Sequence, residues 1–433
     1  MSWPGYPAYK DSATAWLGQL PDDWDLRRLG SLFTERKTTV SDRDFQPLSV
    51  TKDGIVPQLD TAAKTDNGDN RKLVRAGDFV INSRSDRKGS AGISPLEGSV
   101  SVISTVLEPR GLLGRYAHYL LRCEAFQEEY YRFGTGIVAD LWSTRYSAMK
   151  MISLPMPTSQ EQKRIADFLD GETAKIDALI AKQEQLIATL REDRTATITH
   201  AVTKGLDPDV EMKDSGVEWL GDIPLHWAHL PVKFVCTTLS GYPFKSEGFS
   251  HNSNDVKLLR GANVGVDQID WTDAVYWPCS EAPALVDYAL KQGDIVMGLD
   301  RPFISGGIRV SRIGPADVPS LLLQRVLRLR AAPEFDQDYL FHLLTGPGIV
   351  HHLTPMFTGV SVPHVSPDQV GALPVPLPPL TEQRRIAKFL DERCGRIDAL
   401  INKATEVIDT LREYRSALIT DAVTGKIDVR GAA

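Results

Sequence analysis

Two short polar segments of the chain concentrate cationic side chains next to glycines. The first, NSRSDRKGSAG, carries Arg84, Arg87 and Lys88 after a run of β-formers, and the second, LDRPFISGGIR, carries Arg301 and Arg309. Guanidinium and ammonium groups neutralise phosphates, and Arg, Lys, Asn and Gln side chains can hydrogen-bond to base edges in the major groove. Taken as groups, these two loops favour contact with DNA.

Weaker candidates for the same contacts lie outside the two loops. They are Lys37 and Lys52 in the first half of the chain, and Lys245, Arg260 and Asn263 in the segments GYPFKS and LLRGAN of the second half. Each single residue also fits a simpler interpretation, as a solvated cation or a surface ion pair. The formal net charge of −7 argues weakly against a nucleic-acid partner, but net charge does not exclude a local basic face.

Motifs for catalysis are absent from the sequence. It contains no GxxxxGK followed by Ser or Thr, which would predict a nucleotide-binding loop, and no Pro-Pro pair placed between Asp or Asn and an aromatic residue, which amino-methyltransferases use to grip a base. His226 and His229 lie three residues apart, but no further ligands that zinc would need are evident nearby. The sequence therefore predicts neither a catalytic residue nor a metal site.

The bulk properties of the sequence are those of a globular protein of two to four domains. Its 433 residues contain no apolar run of about 18, and the N-terminus lacks the pattern of a signal peptide. The four cysteines are far apart and form no CxxC motif, which is typical of free thiols in a reducing compartment. We therefore expect a cytoplasmic protein with no membrane partner.

A long repeat must position the candidate loops. The stretch that begins QEQKRIADFLD at Gln160 recurs as TEQRRIAKFLD from Thr381 and aligns without a gap over about 44 residues, at an offset of 221. Both copies follow proline-rich segments, contain no proline, and carry apolar residues at helical spacing. The periodicity predicts two long helices whose apolar stripes pack together. The predicted stripes comprise Ile165, Leu169, Ile176, Leu179, Leu186 and Leu190 in the first helix, and Ile386, Leu390, Ile397, Leu400, Val407 and Leu411 in the second.

A second, shorter repeat precedes each of the two variable regions. The segment KDSATAWLGQLPDDW ends at Trp24, and KDSGVEWLGDIPLHW ends at Trp227; the aromatic residues and proline predict a packed loop that anchors the fold. The variable regions 25–157 and 228–376 contain short β-rich runs broken by glycine and proline, so each predicts a compact strand-rich domain. The two regions share a skeleton, because Gly77 matches Gly293 and Gly92 matches Gly307.

The resulting fold class is α+β, with two strand-rich globules separated by two long antiparallel helices that form an intramolecular coiled coil. We predict the first recognition globule over 1–157, the first spacer helix over 158–204, a linker over 205–217, the second globule over 218–378, and the second spacer helix with a C-terminal tail over 379–433. Helices of about 40 residues span roughly 60 Å. The near-equivalence of the halves predicts pseudo-two-fold symmetry.

These features together resemble the specificity subunits of type I restriction-modification systems. The resemblance covers nearly the whole chain and is carried by the two WLGxxPxxW segments, the two proline-rich segments followed by EQxRIAxFLD, the two IDALI steps, and the segments GYPFKSEGF and LLRGANV. The resemblance implies that each globule is a target-recognition domain, and that the long helices act as spacers and bind methyltransferase subunits.

The resemblance also implies partners and the location of the chemistry. The expected function is sequence-specific reading of a bipartite target in double-stranded DNA by a non-catalytic subunit, with two methyltransferase subunits as partners. Whether two restriction or translocase subunits join stays open at this point. The chain itself is expected to bind no cofactor, with S-adenosylmethionine and ATP held by partner subunits. The alternatives are an adaptor scaffold that does not bind DNA and an enzyme with an unrecognised site.

Overall fold

The computed structural model describes residues 3–60, 68–84, 87–136, 142–304, 307–356 and 363–431. The chain divides into two units, which we call unit 1 (Met1–Glu184 with Thr405–Ala433) and unit 2 (Gln185–Ala404). Each unit therefore contains one strand-rich globule together with part of both long helices. These helices are α5 (Ser159–Lys204) and α10 (Leu380–Val423).

Over the described residues, the globule of unit 1 is built from short strands and short helices. The strands are β1 (Tyr9–Asp11), β2 (Gln19–Pro21), β3 (Asp25–Arg28), β4 (Phe33–Glu35), β5 (Thr39–Val40), β6 (Leu48–Thr51), β7 (Gly54–Pro57), β8 (Arg71–Val74), β9 (Phe79–Asn82), β10 (Ala91–Ile93), β11 (Gly98–Ser101), β12 (Ser104–Pro109) and β13 (Ser153–Met156). The helices are α1 (Leu29–Leu32), α2 (Gly114–Leu120), α3 (Glu124–Arg132) and α4 (Tyr146–Met149).

The central sheet of unit 1 is antiparallel, in the order β10-β9-β12-β4, and a second antiparallel sheet has the order β11-β8-β5. The four residues of β9 are all buried, which explains their uniformly apolar start, FVI. One face of the central sheet packs with α2, α3 and the two long helices around Phe79, Tyr116 and Phe126. The ends of β9 and β12 are thereby held on a rigid base.

The globule of unit 2 repeats this plan with strands of similar length. They are β14 (Met212–Asp214), β15 (Asp222–Pro224), β16 (Ala228–Pro231), β17 (Cys236–Ser240), β18 (Val256–Leu259), β19 (Val275–Trp277), β20 (Ile295–Gly298), β21 (Phe303–Ile304), β22 (Gly307–Ile308), β23 (Val310–Arg312), β24 (Ser320–Leu322), β25 (Val326–Ala331) and β26 (Pro374–Leu377). The short α-helices are α6 (Val232–Val235), α7 (Gln337–Thr345), α8 (Pro347–Leu353) and α9 (Pro367–Gly371).

The central sheet of unit 2 is also antiparallel and has the order β17-β25-β20-β23. It corresponds strand by strand to β4-β12-β9-β10 of unit 1. The second sheet differs, because β18 pairs with β24 in parallel and with β19 antiparallel. The register also corrects one predicted match: Gly92 lies in β10, whose counterpart is β23, so Gly307 in β22 is not its structural equivalent.

The long helices run antiparallel within each unit. In unit 1, Asp177 and Glu184 of α5 pair with Arg415 and Arg412 of α10, so the sequence numbers run in opposite directions. In unit 2, Arg194 pairs with Asp398, while Gly205 at the end of α5 lies against Glu382 near the start of α10. The Arg415–Asp177 and Arg194–Asp398 pairs are the same contact, because both residues shift by the repeat offset of 221.

The predicted apolar stripe requires a correction at four positions. Ile165, Leu169, Ile176, Ile386, Leu390 and Ile397 are buried and Leu190 and Leu411 are half-buried, but Leu179, Leu186, Leu400 and Val407 are 47%, 45%, 52% and 38% exposed. At each site the next residue is less exposed: Ile408 is buried, and Ile180, Ile187 and Ile401 are half-buried. Adjacent helical residues project about 100° apart, so two neighbouring apolar residues leave the register undecided until a packing partner selects one.

The tryptophans of the shorter repeat anchor both units. Trp24 and Trp227 are fully or almost fully buried, at 0% and 1% exposure. They lie against Gly425 and Gly205, at the ends of α10 and α5. Each repeat forms a hairpin, β1-β2 or β14-β15, where a loop was predicted, and β14 lies inside the predicted linker 205–217.

Candidate nucleic-acid interface

The loop after β9 places Arg84 at the edge of unit 1. The buried Asn82 side chain accepts a hydrogen bond from the Arg84 N–H (3.1 Å), and the Tyr131 hydroxyl donates to the Arg84 carbonyl (3.4 Å). The Arg84 backbone also bridges to Ser143. The Arg84 side chain is exposed, so a fixed backbone presents a solvent-facing guanidinium. Arg87 follows in the same loop and donates its N–H to the Arg84 carbonyl (3.2 Å).

Lys88 and Lys52 lie on one polar pocket of about 760 Å³ within unit 1. Lys88 pairs with Glu128 and lies over the Tyr131 ring at 5.9 Å. The Lys52 carbonyl accepts a hydrogen bond from Arg122, which also contacts His118. Burial, together with the positive charge of Arg122, lowers the pKa of His118 to about 4. His118 is therefore neutral at physiological pH, and the cations of this pocket are lysine and arginine.

Lys37 lies apart from this pocket, in the segment that follows β4. Its side chain is 78% exposed, with the ammonium group 3.5 Å from a carboxylate oxygen of Glu35. Such an exposed pair contributes little to stability, so Lys37 is free to exchange this carboxylate for another anion. The structure therefore groups Lys52 with Lys88 and leaves Lys37 separate.

In unit 2 the loop after β20 presents Arg301 to solvent. Its N–H donates to the Pro363 carbonyl (2.7 Å), and its φ angle of 45° lies in the left-handed region. L-residues with side chains rarely adopt this conformation. A surrounding network must therefore hold the Arg301 backbone, in the same way that hydrogen bonds hold Arg84 in unit 1.

Two predicted contacts of unit 2 are buried, and their interpretation as DNA contacts is wrong. Arg309 is 9% exposed and Asn263 only 2%. The Arg309 guanidinium donates to the carbonyls of Val264 (2.8 Å) and Asp300 (3.0 Å), so it cross-links two loops. Burial lowers the pKa of Arg309. Asn263 accepts the Arg260 N–H (3.1 Å) and donates to the Asp270 carbonyl (2.8 Å), so it closes a turn.

The two remaining predicted cations of unit 2 differ in how they are held. Arg260 is partly exposed and forms an ion pair with Asp273 at 2.9 Å. Lys245 is exposed and precedes a short 3₁₀ helix, Ser246–Gly248. Arg260 is therefore committed in part to its own loop, whereas Lys245 is presented to solvent.

The sequence-based reading missed two exposed polar residues, Gln324 and Arg325. They form the turn that joins β24 to β25, and both side chains are exposed. The available signal was their position inside the run SLLLQRVLRL, where a polar pair interrupts apolar residues. The residues that follow alternate in the manner of a strand and form β25.

Neither a metal site nor a membrane span emerges from the described part of the chain. Among those residues, no group of three or more His, Cys, Asp or Glu side chains is arranged to hold a metal ion. Within the same ranges, no helix is long and apolar enough to cross a bilayer.

Comparison with known proteins identifies relatives along the whole chain. Residues 285–409 match the model of the type I restriction modification DNA specificity domain. The specificity subunit of the type I restriction enzyme MjaVIII from Methanocaldococcus jannaschii is 27% identical over 428 residues, covering 95% of both chains. The EcoAI specificity subunit of Escherichia coli is 32% identical over 189 residues, which are 43% of this chain and 32% of that protein.

Solved structures share the fold. A chain solved in work on complex assembly and conformational transition of the type I R-M system has a TM-score of 0.70 at 16% identity, covering 96% of this chain and 99% of its own. The HsdS subunit of Thermoanaerobacter tengcongensis has a TM-score of 0.50 at 17% identity, with the same coverage. Strand-rich globules combined with long helices are therefore a fold that distant sequences share.

Proposed function

We propose that the chain is a DNA specificity subunit of a type I restriction-modification system, like the proteins it resembles, and that each of its two units reads one half of a divided double-stranded DNA target. One observation carries this proposal: a single chain contains the same framework twice, with different exposed side chains at the strand ends. Two units that share a framework but differ in their exposed side chains are suited to bind a DNA target whose two halves differ in sequence.

The chemistry of reading rests on the exposed cations of each unit. Arg84 in unit 1 and Arg301 in unit 2 follow equivalent central strands and extend from fixed backbones. Lysine and arginine contacts to phosphates set the register on the duplex, and arginine can bind guanine through two hydrogen bonds. In unit 1, Lys52, Lys88 and Lys37 would contact phosphates; in unit 2, Lys245 and Arg260 would do so.

The long helices would set the gap between the half-sites. An insertion of seven residues in each helix would lengthen it by about 10 Å, and at roughly 3.4 Å per base pair the gap should grow by about 3 bp. The insertions belong at equivalent positions of α5 and α10, so that the apolar stripe keeps its period. A gap of unchanged length in a variant that still assembles would contradict this role.

Catalysis would come from partner subunits. A specificity subunit of this family works with methyltransferase and restriction subunits; we propose two methyltransferase subunits per chain and place the complex in the cytoplasm, where its DNA substrate lies. S-adenosylmethionine would bind to the methyltransferase and ATP to a translocating subunit. The isolated chain should therefore give no heat of binding with either compound, whereas the complex with the methyltransferase should bind S-adenosylmethionine.

A methylation map tests the proposed function. The chain is expressed together with its methyltransferase subunit in a host without DNA methylation, and modified bases are located by sequencing. We expect two short half-sites separated by an unspecified stretch of fixed length. An assembled complex that methylates DNA without sequence preference, or that leaves DNA unmodified, would support an adaptor that does not read DNA.

A further inference from the structure

The turn between β24 and β25 of unit 2 has an unusual backbone. Arg325 has a φ angle of 68°, in the left-handed region that glycine adopts freely and other residues avoid. Its side chain is 63% exposed. Gln324, the preceding residue, is also exposed, whereas Leu322 and Val326 on either side of the turn are fully buried. Two long polar side chains therefore extend from a position anchored in the core.

Three separate segments fix this turn. The Gln324 N–H donates to the Tyr242 carbonyl (2.9 Å), and the Arg325 carbonyl accepts the Leu299 N–H (3.0 Å). The Leu323 N–H donates to the Leu259 carbonyl (3.1 Å). These bonds come from the segments after β17 and β20 and from the last residue of β18, so the strained conformation at Arg325 is determined by its surroundings. Strain of this kind is often found where a side chain must be presented in one direction.

Arg301 extends the same surface. It lies two residues beyond Leu299, the residue whose N–H fixes Arg325, and it too has a left-handed backbone, with a φ angle of 45°. Asp300 lies between Leu299 and Arg301 in the sequence, and its carboxylate is 3.8 Å from the Arg325 guanidinium. At this distance and exposure the ion pair is weak. The guanidinium thus keeps its donors available for a ligand.

A purely structural role accounts poorly for Arg325. Arg309 shows what a structural arginine looks like in this unit, because its buried guanidinium donates hydrogen bonds to two carbonyls. Arg325 makes no comparable cross-link among the bonds of the described residues, and glycine would satisfy its backbone with less strain. Arginine therefore occupies a backbone conformation that it disfavours. This indicates that the arginine side chain itself has a function at this position.

We propose that Gln324 and Arg325 form the base-reading turn of unit 2, with Arg301 beside them as a further contact. Arginine pairs through two hydrogen bonds with O6 and N7 of guanine, and glutamine pairs in the same way with N6 and N7 of adenine. Two adjacent readers would specify neighbouring base pairs of one half-site. This inference rests on the proposed function and assigns part of the specificity of unit 2 to one turn.

The test uses the complex of the full chain with its methyltransferase subunit. Arg325→Gly removes the side chain and relieves the backbone, so its melting temperature should equal or exceed that of the wild type. Gln324→Ala is the second variant. Lys291→Ala is the matched control, because Lys291 is an exposed cation at the opposite end of β20. Affinity is measured for the wild-type target and for duplexes with single base-pair changes in either half-site.

We expect Arg325→Gly to lower affinity for the target about tenfold to a hundredfold and to abolish discrimination at one G·C pair of one half-site. Gln324→Ala should relax a neighbouring A·T pair, and discrimination in the other half-site should be unchanged. Lys291→Ala should leave discrimination intact at every position.

Three results would overturn the inference. If the wild-type complex reads two half-sites and both turn variants retain full discrimination, this turn does not read bases, although the proposed function stands. If affinity falls equally for all duplexes while discrimination remains, Arg325 contacts phosphate only. If the wild-type complex shows no sequence preference, the proposed function and this inference fail together.

Discussion

Units 1 and 2 attach their globules to the long helices through the same hydrogen bonds but end their equivalent strands in different side chains. Gln162 accepts the Leu113 N–H and donates to Pro157. Gln383 accepts the Asp336 N–H and donates to Pro378. In contrast, the turn that carries Gln324 and Arg325 in unit 2 is replaced in unit 1 by Val102, which is 48% exposed, and Ile103.

This difference shows how the exposed side chains of a turn can change without a change of fold. The turns are held by backbone bonds: Ser83 N–H to the Ile103 carbonyl (3.2 Å) in unit 1, and Leu299 N–H to the Arg325 carbonyl (3.0 Å) in unit 2. Backbone bonds of this kind do not depend on the side chain at the turn. Exposed side chains can therefore vary while the framework below them stays intact.

Truncation of the anchoring tryptophans should have the largest effect. Trp24→Ala and Trp227→Ala each remove a fully buried ring and should destabilise their own unit by about 3–5 kcal/mol. The indole N–H of both residues has no partner among the described residues, so Trp→Phe at either position should cost less. Hydrogen exchange resolved by segment measures both. Equal loss of protection in both units from one substitution would contradict the independence of the two cores.

Replacement of Gln162 and of Gln383 tests the hydrogen bonds that attach each globule to a long helix. Gln162→Leu and Gln383→Leu each leave a partly buried backbone N–H and a buried carbonyl without a partner, at a cost of about 2–4 kcal/mol. Each should release the start of one helix, α2 in unit 1 or α7 in unit 2, because Leu113 and Asp336 precede those helices. Chemical denaturation gives the cost. A large cost in one unit and none in the other would show that the two bonds are not equivalent.

The pH dependence of stability should differ between the units at one pair of equivalent contacts. These are Tyr119 with Asp170 in unit 1 and His342 with Asp391 in unit 2. In unit 1 burial, and the hydrogen bond to Asp170, raise the pKa of Tyr119 to about 12 from 10.0. Because the pKa is raised in the folded state, the contribution of Tyr119 to the free energy of unfolding is complete below pH 10 and is lost as the pH rises toward 12. The melting temperature of Tyr119→Phe should therefore approach that of the wild type in that range. A constant difference at all pH values would contradict this.

Unit 2 should instead lose stability at acidic pH, through Asp391. Burial alone would raise the pKa of Asp391, but hydrogen bonds and charge from His342 and Arg312 lower it below its ordinary value. A lowered pKa gives a contribution that is present at neutral pH and is lost as pH falls below about 3.9. The melting temperatures of the wild type and Asp391→Asn should converge there. Persistence of the wild-type advantage at low pH would rule out this coupling.

The repeated ion pairs between the helices should have the smallest effect. Asp177→Ala breaks the pair with Arg415, and Asp398→Ala breaks the pair with Arg194. Each exposed pair should contribute about 0.2–1 kcal/mol. Unit 2 should lose more, because Arg194 is less exposed than Arg415. Double-mutant cycles measure the two coupling energies, and a larger coupling in unit 1 would reverse the comparison.

The sequence predicted the repeated architecture well because the repeat is long and its helical period is strong. It could not choose between Leu400 and Ile401, since both are apolar and only the packing partner selects the inward residue. Arg309 and Asn263 were read as contacts because sequence does not reveal burial in a loop. Arg325 was missed because its left-handed turn follows from bonds to Tyr242 and Leu299, which are distant along the chain.

The most direct test of two independent readers on one framework is to give the chain the same reader twice. Residues 25–157 are replaced by residues 228–378, a change that keeps Trp24 and Thr158 at joints equivalent to Trp227 and Pro379. The methylation map of the complex should then show a divided motif whose two halves are one sequence, the half-site that Arg325→Gly alters. A motif that keeps two different halves, or a stable complex that no longer methylates DNA, would contradict the account.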